Sequence, residues 1–577
     1  MTWVPIALLA VPLAGALILL GLRPPAGKAT PEGVRTAEGE AAAMEGVRAR
    51  FMARYGMAVS GLTLALALLL AATFDYGAAA RPQFVIDVPW IPGLGLRFHL
   101  GIDGVSLPLV VLTALLTFLC FVYLAGHGTE RPRELVFTLL VLTVGMIGTF
   151  LALDLLLFFL FFEIVLIPMY FVIAIWGGRA RRAAAVKFIL YTLLGSVVLL
   201  LGLLLIWAQT GTLDIPRLAA AHGAGMPRGV QILAFAAIGI GLAVKAPMWP
   251  LHTWLPDAHT EAPTVGSVLL AGVLLKMGTY GFARIAIPIL PEGAAALAPW
   301  LGAFAVVGIV YGALACLAQR DLKRMIAYSS VGHMGFVLLG FATLTPVGVN
   351  AALFGNIAHG LITGLLFFLA GAVKDRYGTA DMPALGGGML ARVPRLGSLL
   401  TFACVASLGL PGLAGFWGEM LALLGAFAPA PGLSRPLFLV FMAVGGVGTV
   451  LTAAYFLTML SRVTHGRPHP LGQTPPTDTR HETPEPHAPG TPEPHAPGTA
   501  EPHARQAPEP HTREAAEDAH GHRAGAPQRT LALLPDVRGY ELAAWVPLVG
   551  LILLFGLWPK ALLLVTTPAV LALLGAP

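Results

Sequence analysis

The chain has 577 residues, of which 56% are hydrophobic and 11% charged, and its mean hydropathy is +0.78. A soluble domain carries roughly 25% charged residues, so this composition excludes a soluble fold. A net charge of +6 would otherwise suggest a nucleic-acid partner. In so apolar a chain the basic residues belong to cytoplasmic loops, the expected partner is the lipid bilayer, and no nucleic acid is expected.

Apolar runs of about 20 residues, each long enough to cross a hydrocarbon core of roughly 30 Å, recur from end to end. They are too long and too continuously apolar for barrel strands, which leaves helices. The expected fold class is an all-α polytopic membrane protein of about 14 transmembrane helices. The runs lie near 3–22, 56–75, 104–125, 134–152, 155–176, 184–208, 230–250, 263–285, 297–318, 324–343, 347–373, 397–427, 437–462 and 541–558. No basic residue precedes the first run, so it reads as a retained helix rather than a secretory signal.

Basic residues test this count. With the long last loop set aside, loops and edges after odd-numbered spans hold 18 Lys and Arg, and those after even-numbered spans hold 6, Arg284 among the latter. The positive-inside rule then places the odd loops in the cytoplasm and both termini outside. The last loop, 463–540, differs in kind. It contains "TPEPHAPG", "TPEPHAPG", "TAEPHARQ" and "APEPHTRE" in succession, from Thr483 to Glu514. Its Pro, Glu and His content cannot bury an apolar core, so a disordered or extended cytoplasmic segment is expected. His487, His495, His503 and His511 recur every eight residues, a pattern that fits repeat slippage as well as weak metal binding.

Cys120, Cys316 and Cys404 all lie in apolar runs, with no CxxC and no metal-ligand spacing, so no metal site is expected. No dinucleotide fingerprint or iron–sulfur ligand set occurs, and any redox group would have to sit on another chain. The charges within the spans are few: Glu163, Lys187, Lys245, Lys276 and Glu419, joined by His333 and His359. A charge at a helix centre costs on the order of 2.5–3.5 kcal/mol. Seven such groups in one bundle point to a polar function. Lys187 is nearest the start of its span and can reach the interface.

Their spacing carries an architecture. Glu163 and His333, Lys187 and His359, and Lys245 and Glu419 each stand about 170 residues apart, the near-constant offset that an internal repeat leaves. Lys276 has no ionisable mate at this offset. Each half also holds a proline-broken helix, "KAPMWP" at Lys245 and "LPGLAGFWGE" ending at Glu419. Pro247 is expected to free the carbonyl of Ala243, and Pro411 that of Ser407. Non-helical backbone at membrane depth is tolerated where it lines a polar cavity, and matching broken helices mark transporter repeats. The offset spans five helices, an odd number, so the repeats are inverted. The expected organisation is N-terminal helices 1–3 over 1–133, a first repeat (helices 4–8) over 134–285 and a second (helices 9–13) over 297–462. The His/Pro-rich loop 463–540 and a C-terminal transmembrane helix in 541–577 complete it, with helices 7 and 12 broken.

The segments "GIDGVSLPLVVL", "FFEIVLIPMYF", "AVKAPMWPLHTWLPDAHTEAPTVGSVLLAGVLLKMGTYG", "RDLKRMIAYSSVGHMGFV", "IAHGL" and "LPGLAGFWGEM" resemble the antiporter-like proton-pumping subunits of respiratory complex I, the bacterial NADH:quinone oxidoreductase, and within them the M-type (chain 4) branch. The resemblance covers most of the chain. It implies a fourteen-helix fold, residence in the bacterial inner membrane, and a translocase subunit with no catalytic redox site of its own. It implies L-like and N-like membrane neighbours and a peripheral arm, with NADH, FMN, iron–sulfur clusters and quinone on those partners. By the same resemblance Glu163 is the fifth-helix glutamate and Lys245 the broken-helix lysine. Lys276, His333 and His359 match the central relay, and Glu419 the twelfth-helix glutamate; these six together with Lys187 make the expected proton pathway. A cation/proton antiporter subunit is the alternative. L-like, N-like and antiporter relatives typically carry lysine at the twelfth-helix position, and Glu419 stands against them.

Overall fold

The computed structural model describes residues 2–21, 37–466 and 534–575. The repeats and the histidines His487, His495, His503 and His511 lie outside the described residues. Thirteen of the described helices are long and apolar enough to cross a membrane. They are, with their span numbers, Val4–Gly21 (1), Gly46–Thr73 (2), Ser106–Gly126 (3), Pro132–Leu151 (4), Leu155–Trp176 (5), Arg181–Thr210 (6), Arg228–Lys245 (7), Thr264–Ile289 (8), Pro291–Leu317 (9), Leu322–Ala342 (10), Pro346–Tyr377 (11), Arg435–Val463 (13) and Gly539–Leu557 (14). Span 12 is two short helices, Pro394–Ser407 and Ala414–Phe427, so the expected fourteen crossings are present. Span 7 also breaks, after Lys245, and resumes as the short helix Trp254–Glu261.

The inverted repeat is written into the backbone at two β-bridges. Asp154 pairs with Asp214, and Asp321 with Asp381. The step along the chain from Asp154 to Asp321 equals the step from Asp214 to Asp381. The hydrogen bonds repeat at the same step: Leu155 N to Leu213 O and Ile215 N to Leu153 O, then Leu322 N to Ala380 O and Met382 N to Arg320 O. Each of the four aspartates caps a helix, because its carboxylate accepts the backbone N–H groups that a first turn leaves free. Asp154 takes Leu156 N and Leu157 N, Asp214 takes Arg217 N, Asp321 takes Arg324 N and Asp381 takes Ala384 N. An aspartate just ahead of an apolar run thus starts spans 5 and 10 at equivalent places in the two repeats.

Three features depart from the expected organisation. The chain between spans 2 and 3 forms an antiparallel hairpin, Gln83–Ile91 with Leu96–Ile102. Its signal was present, a β-rich stretch interrupted by "PGLG", but so short a pair is hidden among longer helical runs. The C-terminal region holds a second helix, Lys560–Leu573, beyond span 14. Thr566 of that helix donates to Asn350 of span 11 at 2.7 Å. Arg284 is not a loop-edge residue. Span 8 runs on to Ile289, and Arg284 is buried against Asp103 of the "GIDGVS" turn. Asp103 has a second task there, accepting from Val105 N, Ser106 N and Ser106 Oγ to start span 3.

Candidate functional site

Span 8 is the buried axis of the molecule, and it is not a regular α-helix. Two π-helical segments, Leu270–Leu274 and Phe282–Ala286, interrupt it on either side of Lys276. A π-turn shifts the i→i−4 ladder by one residue and frees a carbonyl for another donor. Lys276 Nζ uses that opening, bonding the Ala271 carbonyl, and lies 2.5 Å from His359 Nδ1 of span 11. Lys276 is fully buried.

From His359 the polar contacts continue into the second repeat. The imidazoles of His359 and His333 stand 5.7 Å apart, centroid to centroid. His333 Nδ1 is 3.1 Å from Glu419 Oε1, and its Nε2 is 3.0 Å from Ser407 Oγ. A cavity of about 30 Å³ touches His333, His359, Ser407 and Glu419, room for about one or two waters. The break in span 12 makes this possible. Gly409 and Gly412 take φ of +80° and +93°, conformations that cost a side chain dearly. They turn the chain so that Ser407 ends one half-helix beside the carboxylate carried by the other.

The first repeat holds a second cluster. Lys245 Nζ donates to Phe162 O at 3.2 Å and sits 4.1 Å from the centre of the Phe162 ring. Glu163, the next residue, lies close enough to interact electrostatically with Lys245, and Ser196 of span 6 is within hydrogen-bonding reach of it. One Glu163 oxygen is buried without a protein partner among the described residues. The Ala243 carbonyl is not left free as expected. Met248 N donates to it at 2.9 Å, because the chain turns sharply enough after Lys245 for an amide five residues on to replace the one Pro247 lacks. Lys187 is paired 2.7 Å from Asp257, a carboxylate that Arg324 of span 10 also approaches at 3.4 Å.

The seven residues singled out in the sequence therefore fall into two groups. Lys276, His359, His333 and Glu419 form one continuous line, while Glu163 and Lys245 face each other and Lys187 is drawn to Asp257. No direct hydrogen bond joins Lys245 to Lys276 among the described residues. Sequence reading missed Asp257, Ser407 and His259. Asp257 and His259 lay inside the motif "WLPDAH", and Ser407 sat four residues before a proline. All three positions were in view, but which side chains they face depends on the fold.

Residues 152–452 match the family described as NADH:quinone oxidoreductase/Mrp antiporter, TM. The chain is 45% identical over 417 residues to NADH-quinone oxidoreductase subunit M of Rhodobacter capsulatus, covering 70% of this chain and 78% of that one. It is 44% identical over 431 residues to a Synechococcus sp. (strain JA-3-3Ab) NAD(P)H-quinone oxidoreductase chain 4, covering 73% and 80%. A chain of Thermus thermophilus respiratory complex I superposes with a TM-score of 0.74 at 27% identity over the full length of both. A chain of the Mrp complex from Dietzia sp. shares the fold, with a TM-score of 0.74 at 22% identity over 99% of this chain and 97% of that one. The chain is thus a multi-pass protein of the bacterial inner membrane that assembles with other membrane subunits, and it belongs to the antiporter-like subunit M (chain 4) family of NADH:quinone oxidoreductase, complex I.

Proposed function

We propose that this membrane subunit moves protons along the midplane through Glu163, Lys245, Lys276, His359, His333 and Glu419, driven by electron transfer on other subunits. The observation that carries the reading is the unbroken line of contacts from Lys276 to Glu419, with no more than 3.1 Å across each direct polar contact and one imidazole pair between them. Each member can bind and release a proton. For Lys276 to donate to His359 Nδ1, the histidine must carry its own proton on Nε2. That nitrogen is buried with no partner among the described residues, and it is the atom that would pass a proton onward.

Lys245 and Glu163 supply the control. A carboxylate near Lys245 favours the ammonium, and drawing it away favours release. Phe162 faces the ammonium with its ring, so the charge is held without a second fixed anion. Lys187 and Asp257 lie at the entry side of this pair, and exchange of Asp257 between Lys187 and Arg324 would alter the local field. Discharge at Glu419 toward the outside follows the direction of the family. In this reading L-like and N-like subunits flank the chain, and a peripheral arm carries NADH, FMN, the iron–sulfur clusters and quinone. No redox site is assigned to this chain.

The test separates a proton carrier from a fixed charge. Lys245→Ala should greatly reduce quinone-linked proton uptake into inverted vesicles, normalised to assembled complex. Lys245→Arg should fail as well, because guanidinium keeps its proton in proteins. Parent-like pumping by Lys245→Arg would make Lys245 a fixed charge and sink its part of the relay.

A further inference from the structure

Lys276 stands on a short island of α-helix. Leu275–Gly281, seven residues long, lies between the two π-helical segments of span 8. A π-turn takes up one residue more than an α-turn. At 3.6 residues per turn, a slip of one residue in either flank would rotate the island by about 100°. The flanks therefore do not fix which face it shows to span 11, and contacts of its own must do so.

Spans 8 and 11 cross the membrane in opposite senses, so residues ascending one helix meet residues descending the other. Three such meetings follow in order. Toward the cytoplasm Gly272 faces Gly360 so closely that a Cβ on Gly360 would come 2.9 Å from the Gly272 carbonyl oxygen. Next, Lys276 Nζ lies 2.5 Å from His359 Nδ1. One turn further out, Thr279 Oγ1 donates to Asn356 Oδ1 at 2.9 Å. The same hydroxyl lies 3.0 Å from the Lys276 carbonyl. A hydroxyl has a single proton, so the two acceptors share it. Thr279 and Asn356 are both fully buried, and Asn356 Nδ2 has no partner among the described residues. Two apolar side chains would fill this place without leaving an amide group unpaired, so the polar pair is kept at a cost. On its other side the island leans on the break of span 7. A Cβ on Gly278 would come 2.7 Å from Leu242 O and 2.8 Å from Ala246 N.

We infer that Thr279 and Asn356 are positioning residues: their hydrogen bond fixes the island against span 11 and so holds Lys276 in place for proton transfer to His359. The contact between Lys276 and His359 cannot do this for itself. One proton shared between them draws the two together, and a proton on each drives them apart. Among the described residues no carboxylate forms an ion pair with either. Threonine and asparagine do not ionise, so their bond holds at every stage of the transfer. Through the Lys276 carbonyl it also acts on the backbone of the lysine. Neither residue carries a proton along the line; the only proton that moves passes from Nζ to Nδ1. This role rests on the relay proposed above, because positioning Lys276 matters only if Lys276 passes a proton on.

The experiment measures proton uptake in inverted vesicles containing the assembled complex, in H2O and in D2O, with quinone reduction followed in parallel. Thr279→Val keeps the shape and removes the hydroxyl, and Asn356→Leu removes the amide. Each should lower proton uptake severalfold with assembly intact. The double variant should fall no further than the worse single one, because both changes break the same bond. The ratio of uptake in H2O to that in D2O should rise in each, since the proton step becomes slower. Thr279→Ser retains the hydroxyl and should pump close to the parent rate. Parent-like pumping by Thr279→Val overturns the inference, as does an unchanged isotope ratio in a variant that pumps less. Failure of both Thr279→Val and Asn356→Leu to assemble, with Thr279→Ser normal, would also overturn it, because the bond would then serve folding alone. Lys276→Ala is the separate control for the relay. Parent-like pumping there defeats the relay itself, whereas a dead Lys276→Ala beside a normal Thr279→Val defeats the positioning role alone.

Discussion

Arg284 and Asp103 illustrate how a membrane protein tolerates full charges. Both are buried and form an ion pair that ties span 8 to the turn that starts span 3. The Asp103 carboxylate also accepts three hydrogen bonds from Val105 and Ser106, so its lone pairs are met on both oxygens. Breaking one partner of such a pair costs about 3–5 kcal/mol, because the other charge is left buried and alone. Arg284→Met should therefore lower the melting temperature of the purified complex and its yield. Arg284→Met combined with Asp103→Leu should recover part of the loss, since a well-packed apolar pair avoids the uncompensated charge. The recovery will be incomplete, because the cap on span 3 goes with Asp103. Equal melting temperatures for parent and Arg284→Met would show that the pair contributes nothing. This pair was not legible in the sequence. Arg284 sat where span 8 was expected to end, and nothing in a single sequence couples it to a residue 181 positions earlier. The deep charges Lys276 and Glu419 were legible because a charge in the middle of an apolar run has no cheap explanation.

At the scale of elements, the broken helices were readable and their consequences only partly so. Proline marked the breaks at Lys245 and before Glu419, because it cannot donate into the helical ladder. What the break exposes was not readable. The Ala243 carbonyl is recaptured by Met248, while in span 12 the opening is organised by glycine. Gly409 has φ of +80°, and a Cβ there would come 3.0 Å from Glu419 Oε2. Gly409→Ala thus adds backbone strain on the order of 1 kcal/mol and pushes on the carboxylate that faces His333. Proton pumping by this variant should fall several-fold while the complex still assembles, and Gly412→Ala, whose Cβ meets only the Leu557 side chain at 3.8 Å, should share the strain but spare the carboxylate. Equal pumping by the two variants would mean that the position of Glu419 is not what Gly409 protects. The hairpin Gln83–Ile91 with Leu96–Ile102 was missed for a different reason. Its period-2 pattern is short, and neighbouring apolar runs at helical length dominate any window placed over it.

For the whole molecule, the alternation of basic loops, the near-constant offset between titratable groups and the two aspartate bridges all express one inverted repeat. One bridge joins the loops after spans 4 and 6, the other the loops after spans 9 and 11, so they belong to opposite faces of the membrane, as inversion requires. This frame also bears on the His/Pro-rich insert, whose two flanks are held firmly. On the entering side Gly388 N donates to His465 O at 2.9 Å and Leu390 N to Thr464 O at 3.1 Å. On the leaving side Arg376 binds Pro535 O, Asp536 O and both oxygens of Glu541, and the Asp536 carboxylate accepts from Arg395 N and Leu396 N. Both flanks are thereby fixed to the ends of spans 11 and 12 and the segment joining them. His487→Cys should be inaccessible to a membrane-impermeant thiol label in intact cells and accessible in inverted vesicles. The native thiols will not confuse the reading, since Cys120, Cys316 and Cys404 are buried. Labelling in intact cells would reverse the topology. Deleting Thr483 to Glu514 removes nearly half of the connection between His465 and Pro535. Halving a connection between two fixed points changes its closure entropy by only about 0.6 kcal/mol, in the favourable direction. Neither flank loses a hydrogen bond, and no residue of the relay lies within the deletion. The shortened protein should therefore assemble and pump at close to the parent rate. A large loss of pumping with assembly intact would assign the repeats a direct part in proton movement, and loss of assembly alone would make them a contact for a neighbouring subunit.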